Sequence, residues 1–223
     1  MRRPFVVLAL AFAALACAGA QRAQEVAPRP ASTVAVPAAE WAPAPEQLAF
    51  LGELQERTFR YFWELADPHT GLIPDRWPTR SFASVSATGF GLVAYPIGVE
   101  HGWVTRAQAR QRVLATLRFL SQAPQGPRPT GVAGYQGFFY HFLDPATGLR
   151  FEKVELSTID TTFLFAGALL CGEYFAGDDA EEREIRRLAD ALYARADWTA
   201  QQPRPPRVGM GWHPESGFIA ADW

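Results

Sequence analysis

The run SVSATGFGLVAYPIGV, residues 84–99, carries no charged side chain, and FLFAGALLCGEYFA, residues 163–176, carries only Glu173. A helix that is apolar all round lies either in a membrane or between other helices. Ser84, Ser86, Thr88 and Pro96 argue against a membrane, as do lengths short of the roughly 20 residues that a bilayer span needs. Both runs therefore read as inner helices of a helical protein.

Three other segments have helical periodicity but one charged side. Residues 46–66 set Leu48, Leu51, Leu54, Phe62 and Leu65 near one face, with Glu53, Glu56, Arg57, Arg60 and Glu64 elsewhere. Residues 105–122 begin at a capping Thr105 and carry the stripe Val113, Leu114, Leu117 and Leu120. Residues 179–197 carry Ile185, Leu188, Leu192 and Ala196. The order outer, inner, outer, inner, outer is that of helical hairpins laid side by side in a ring. The expected fold is thus all-α: an incomplete (α/α)6 toroid of about five helices. The repeat DPHTGL (67–72) and DPATGL (144–149) precedes each inner helix, although the same string is also good turn chemistry.

The chain has 223 residues, 48% of them hydrophobic, and a formal charge of -2, as expected for one domain with a real core. Only Lys153 is lysine, and no basic stripe interleaved with aromatics marks a nucleic-acid partner. Arg2 and Arg3, the apolar run 5–16 and the small-x-small site at Ala18, Gly19 and Ala20 read as a signal peptide over residues 1–20. A second reading takes Leu15, Ala16 and Cys17 as a lipoprotein site, with Cys17 acylated and the membrane reached only through that anchor. Either way the protein is expected to be exported, periplasmic or secreted. Residues 21–44, rich in Ala, Pro and Val, read as a linker, and 45–223 as the domain. Without Cys17 only Cys171 remains, so no intrachain disulfide is expected, and Cys171 reads as a small buried hydrophobe. No His or Cys spacing indicates a metal, and no cofactor is implied.

If the inner helices run the same way, segments 67–83, 123–158 and 198–223 share one rim. They hold Asp75, Arg76 and Trp77; Tyr135, Phe138, Phe139, Tyr140, His141, Glu152 and Glu155; and Trp212, His213, Glu215, Asp222 and Trp223. Carboxylates set among aromatic faces are what glycosidic-bond cleavage requires.

At these loops RTFRYFW (57–63), GLIPDR (71–76), ATGFGL (87–92), AYPIGVE (94–100), ELSTIDT (155–161) and GWHPESGF (211–218) resemble successive blocks of the glucoamylase-like family. That family includes endo-β-1,2-glucanases and is related to the processing module of cyclic β-1,2-glucan synthases. The resemblance covers residues 46–223, whereas family members continue for about as many residues again. It implies a β-glucan hydrolase or transglycosylase using carboxylate acid/base chemistry on an oligo- or polysaccharide, with the acid in the N-terminal half and the base beyond it. Glu215, in a Gly-rich turn beside Trp212 and His213, is the expected acid, although a turn carboxylate capping a helix would look the same. Asp160 fits a helix-start pattern or a substrate contact, and Glu155 a hydroxyl or water contact. Asp75 and Arg76 fit hydroxyl binding or a loop ion pair. Trp77, Tyr140 and Trp212 are stacking candidates, and His141, His213, Asp222 and Trp223 complete the expected substrate set. A carbohydrate-binding scaffold without catalysis and a polysaccharide-lyase-like toroid remain alternatives. On the hydrolase reading, these 223 residues alone are expected to hydrolyse little glucan, because they hold one carboxyl of the pair.

Overall fold

The computed structural model describes residues 42–79 and 81–223, and residues Pro43–Trp223 form one compact unit. The export segment, Cys17 and all but the last three linker residues lie outside the described residues.

Five helices follow one another: α1 (Pro45–Leu65), α2 (Val85–Glu100), α3 (Arg106–Gln122), α4 (Thr158–Tyr174) and α5 (Ala180–Ala194). Four of them start on a side-chain cap that accepts an otherwise orphaned amide hydrogen bond. Ser84 accepts from Ala87, Thr105 from Gln108, Ser157 from Asp160, and Asp179 from Glu181 and Glu182. At α3 the Gln108 side chain reaches back to the Thr105 amide at 2.8 Å, closing a capping box.

The two charge-poor inner helices, α2 and α4, make the most extensive contact among the described residues. Gly89 lies against Phe163 and Leu164, Gly167 against Gly89 and Leu92, and the buried Cys171 thiol donates to the Leu92 carbonyl at 3.1 Å. The contacts advance together along both chains, so α2 and α4 run parallel. A β-carbon at Gly89 would come within 2.5 Å of the Phe163 carbonyl, and one at Gly167 within 2.2 Å of the Gly89 carbonyl. Backbone packs on backbone here, which only glycine allows.

Around this pair α1 packs antiparallel on α2, with Phe59 against Gly98 and the Tyr95 hydroxyl directed at the Phe62 carbonyl. Helices α3 and α5 lie side by side, linked by Arg106–Glu182, Arg110–Glu181 and Arg118–Glu184 ion pairs at 2.8, 2.6 and 2.6 Å. Nine of the 16 residues of α2 and eight of the 17 of α4 are buried, against Phe59 alone in the 21-residue α1. The contrast with α3 is narrower than expected: six of its 17 residues are buried, because it packs on α2, on α5 and under both repeated turns.

Those turns are alike in detail. Asp67 accepts from the amides of His69 and Thr70 and from the Thr70 hydroxyl, and Asp144 does the same with Ala146 and Thr147. Each closes at a glycine of positive φ, 69° at Gly71 and 68° at Gly148, seated on Thr116 and Phe119 of α3. The repeat is therefore turn chemistry that docks both inner-helix approaches on one outer helix.

An all-α architecture is not what the structure contains. The rim loops form two small antiparallel sheets. The first has the order β1 (Ile73–Pro74), β2 (Ala83–Ser84) and β5 (Phe142–Leu143). The second has the order β3 (Gly134–Tyr135), β4 (Phe138–Tyr140), β6 (Leu156–Ser157), β7 (Gly211–His213) and β8 (Gly217–Phe218). Long loops folded over buried helix ends must pair their backbone groups somewhere, and these ladders do so. Strands β2 and β6 run straight into α2 and α4, so both sheets sit at the N-terminal ends of the inner helices. One apolar side stays uncovered: Phe90 and Ile97 of α2 and Phe163 and Leu170 of α4 are exposed. A groove of about 490 Å³ between α1 and α2 is lined by Leu51, Leu54, Phe62 and Val93.

Gly167→Ala should destabilise the fold by about 1–3 kcal/mol through overpacking. Gly172→Ala, whose new methyl would meet nothing nearer than Ala189 at 3.6 Å, should be neutral or stabilising by up to about 1 kcal/mol. Denaturant unfolding of the two variants checks this, and equal losses would refute the contact.

Candidate functional site

His141 is the single residue between β4 of one sheet and β5 of the other. Its backbone is pinned on both sides: the amide donates to the Glu155 carbonyl at 2.9 Å, and the carbonyl accepts from Val85, the first residue of α2, at 3.2 Å. The imidazole stacks on the Phe142 ring with centroids 3.9 Å apart. Nδ1 lies 2.8 Å from Glu155 Oε1 and Nε2 lies 3.5 Å from Asp160 Oδ1. Asp160 is the third residue of α4; its amide donates to Ser157 Oγ and its Oδ2 accepts from the Ser157 hydroxyl. It therefore belongs to the helix start and to the His141 cluster at once.

Electrostatics follow from this packing. Partial burial pulls the His141 pKa down, but the Glu155 hydrogen bond and the charges of Asp160, Glu155 and Asp75 outweigh it and raise the pKa above the ordinary imidazole value. The His141 hydrogen bond in turn lowers the Glu155 pKa against the opposing effect of burial.

Glu215, on the β7–β8 turn, is held differently. The Arg150 side chain is 1% exposed and forks onto it, Nη1 to Oε1 at 2.8 Å and Nη2 to Oε2 at 3.1 Å. The same guanidinium donates to the carbonyls of Pro129 and Val154 and lies over the Tyr140 ring at 4.6 Å. One buried cation thus fastens loop 123–158 to the β7–β8 hairpin. The Arg150 hydrogen bonds lower the Glu215 pKa, which is opposite to the upward shift a general acid needs near neutral pH. The clamp thus favours the ionised form of this carboxyl.

Tyr140, expected as a stacking face, is buried, with the Arg150 guanidinium over its ring. Trp212 is half-buried, stacks on Tyr135 at 5.3 Å and pairs in register with Leu156, beside Glu155. His213 stands close enough to Glu155 and Glu215 to favour the charged form of both. Asp222 is tied to Arg204 and Arg207 at 2.6 and 3.6 Å, a structural clasp, and Trp223 is exposed beyond it. Asp75 and Arg76 form no ion pair among the described residues: Asp75 faces the His141 cluster, while Arg76 lies over Phe82 beside the exposed Trp77.

The structure thus gathers His141, Glu155, Asp160, His213 and Glu215 on one rim and leaves Tyr140 and Asp222 in structural roles. Sequence reading missed Arg150 and the half-buried aromatic cluster of Phe82, Phe142 and Phe151 beside His141. Nothing in the local string of Arg150 marks it as buried, and the aromatics come from separate places in two rim segments. Together the cluster offers ionised carboxylates to hydroxyl donors and aromatic faces to C–H surfaces, the chemistry of carbohydrate recognition.

No known protein-family profile matches the chain. It is 31% identical over 182 residues to an exo β-1,2-glucooligosaccharide sophorohydrolase (non-reducing end) of Parabacteroides distasonis, which covers 78% of this chain and 24% of that protein. Among solved structures, a proposed glucoamylase of Bacteroides uniformis superposes with a TM-score of 0.67 at 30% identity, over 79% of this chain and 42% of the other. A β-1,2-glucanase of Parabacteroides distasonis gives 0.66 at 30% identity, over 79% and 25%. The chain is similar to these glucoamylase-like proteins and β-1,2-glucanases over more than three quarters of its own length, and it spans less than half the length of the relatives it matches.

The ion pair predicts an observable titration. The Glu215 carboxyl should titrate below the ordinary value of about 4.3 and return towards it in Arg150→Met. Since the folded pKa is depressed, the stability from this pair is complete above the unfolded value and lost as pH falls through the folded one. Carbon-detected NMR of Glu215 checks the shift, and an identical midpoint in both proteins would rule it out.

Proposed function

We propose that the protein acts as a glycoside hydrolase on β-1,2-glucan, within an (α/α)6 toroid of which the described helices form one arc. The observation that carries this reading is the Glu155–His141–Asp160 cluster at the N-terminal ends of two parallel inner helices, in a chain related to β-1,2-glucan-cleaving proteins. The uncovered apolar side of α1, α2 and α4 fits such a ring, as the surface on which further helical hairpins would pack.

Glycosidic cleavage needs one carboxyl to protonate the leaving oxygen and another to activate water or to attack. Glu155, held ionised by His141, suits the basic role or a hydroxyl contact. Asp160 stands beside it with one oxygen turned to His141 and the other to Ser157. Glu215, clamped by Arg150, suits hydroxyl binding from the neighbouring hairpin. The half-buried Trp212 supplies an indole against which a pyranose ring packs.

Calorimetric titration of the 223-residue chain with β-1,2-gluco-oligosaccharides should give binding, and cello-oligosaccharides of equal length should give much less. Glu155→Gln should weaken the β-1,2 signal about tenfold or more, as expected for losing a charge-assisted hydrogen bond. Reducing-sugar release from linear β-1,2-glucan by a version extended through further helical hairpins, assayed in parallel, separates a hydrolase from a binding module. Equal affinity for both sugar classes, or no affinity for either, would overturn the reading.

A further inference from the structure

We propose that His141 is a positioning residue of this site, a doubly protonated imidazole that holds Glu155 and Asp160 side by side so that both accept hydrogen bonds from sugar hydroxyls. The ligand in this inference rests on the β-1,2-glucan reading above; the clamp rests on geometry alone.

An ionised carboxylate only accepts hydrogen bonds, so Nδ1, 2.8 Å from Glu155, must be the donor. In a neutral ring Nε2 would then turn a lone pair towards Asp160 Oδ1 at 3.5 Å, an unfavourable approach. The facing is favourable only with one more proton, on the ring or on Asp160. Asp160 lies in the first turn of α4, where the helix dipole favours negative charge, and its other oxygen already accepts from Ser157. The proton therefore belongs on the ring.

The groups around His141 agree. Glu155 faces it from the approach to β6, Asp160 from α4 and Asp75 from the segment after β1, all acidic. His213 of β7 stands beyond Glu155, and the Arg150–Glu215 pair is internally neutralised. The imidazole is thus the cation that offsets the repulsion between Glu155 and Asp160. It cannot swing away, because its backbone is bonded on both sides and its ring rests on Phe142. With 31% of its side chain exposed, the cluster remains open to a ligand.

A merely structural histidine would not make sugar affinity follow the charge of the ring, whereas a clamp would. Oligosaccharide affinity should fall as pH rises through the His141 pKa, when Nε2 loses its proton and Asp160 is released. In the ¹⁵N-histidine-labelled 223-residue chain, NMR should show both ring nitrogens of His141 protonated at about pH 6.5, the ordinary midpoint. The midpoint should move down in Glu155→Gln, a variant that keeps the imidazole. Titration calorimetry with β-1,2-gluco-oligosaccharides between about pH 5.5 and 8.5 should show roughly tenfold weaker binding at the upper end, and His141→Gln should bind at the weakened level throughout. A neutral ring at about pH 6, or the same pH profile in wild type and His141→Gln, overturns the clamp. Absence of sugar binding by the wild type at every pH overturns the β-1,2-glucan reading instead, and the ring titration, which needs no sugar, tells the two failures apart.

Discussion

The contact between α2 and α4 at Gly89 and Gly167 governs everything above it. With no β-carbon on either side, the two backbones meet directly, carbonyl of one against the bare α-carbon of the other. That approach fixes both the spacing and the parallel direction of the helices, so their N-terminal ends, capped by Ser84 and Ser157, open on the same side. Strands β2 and β6 end on those caps, and β4 and β5 cross above them with only His141 between. A helix pair kept apart by larger side chains would separate the two sheets at that residue, and Glu155 and Asp160 would no longer share a partner.

Charge is distributed by the same geometry. On the outside, α3 and α5 carry exposed ion pairs such as Arg118–Glu184, each worth about 1 kcal/mol or less and replaceable by solvent. On the rim, one guanidinium with almost no exposure serves two carbonyls, a carboxylate and an aromatic face. Removing Arg150 would take their shared partner from Glu215 and from the half-buried Val154 carbonyl at once, which costs more than losing one surface pair. The contrast explains how short strands of two and three residues can hold a functional rim: their ladders are brief, and Arg150 supplies the cross-link between loops.

The helices were legible in the sequence because burial on all sides leaves a compositional trace over whole runs, as in residues 84–99, and one-sided burial leaves a period, as in residues 105–122. Strands β1 to β8 were not, since a period of two cannot appear in two or three residues. The site was legible by position and not by role. Loop membership was enough to name His141, Glu155, Asp160 and Glu215 together, but the facing of Tyr140 and the partner of Glu215 depend on Arg150, whose contacts span 21 residues one way and 65 the other. Helix ends were located better than partners because capping is local, whereas the pairing of His141 with Glu155 depends on the register of β4 against β6.

The rim also sets a condition on any proton donor that works with it. Two helix N-termini open onto this layer, and their amide dipoles favour anions. Added to these are the imidazole of His141 and the guanidinium of Arg150, so the two carboxyls here with displaced titrations, Glu155 and Glu215, are both displaced towards the ionised form. A general acid needs the reverse surroundings, apolar or already anionic, to keep its proton near neutral pH. On the hydrolase reading, Glu155 and Glu215 therefore stand in surroundings that favour the anion, and a general acid working with them needs a separate environment. Such a division keeps each carboxyl in the protonation state its task requires, which a single electropositive layer could not do for both.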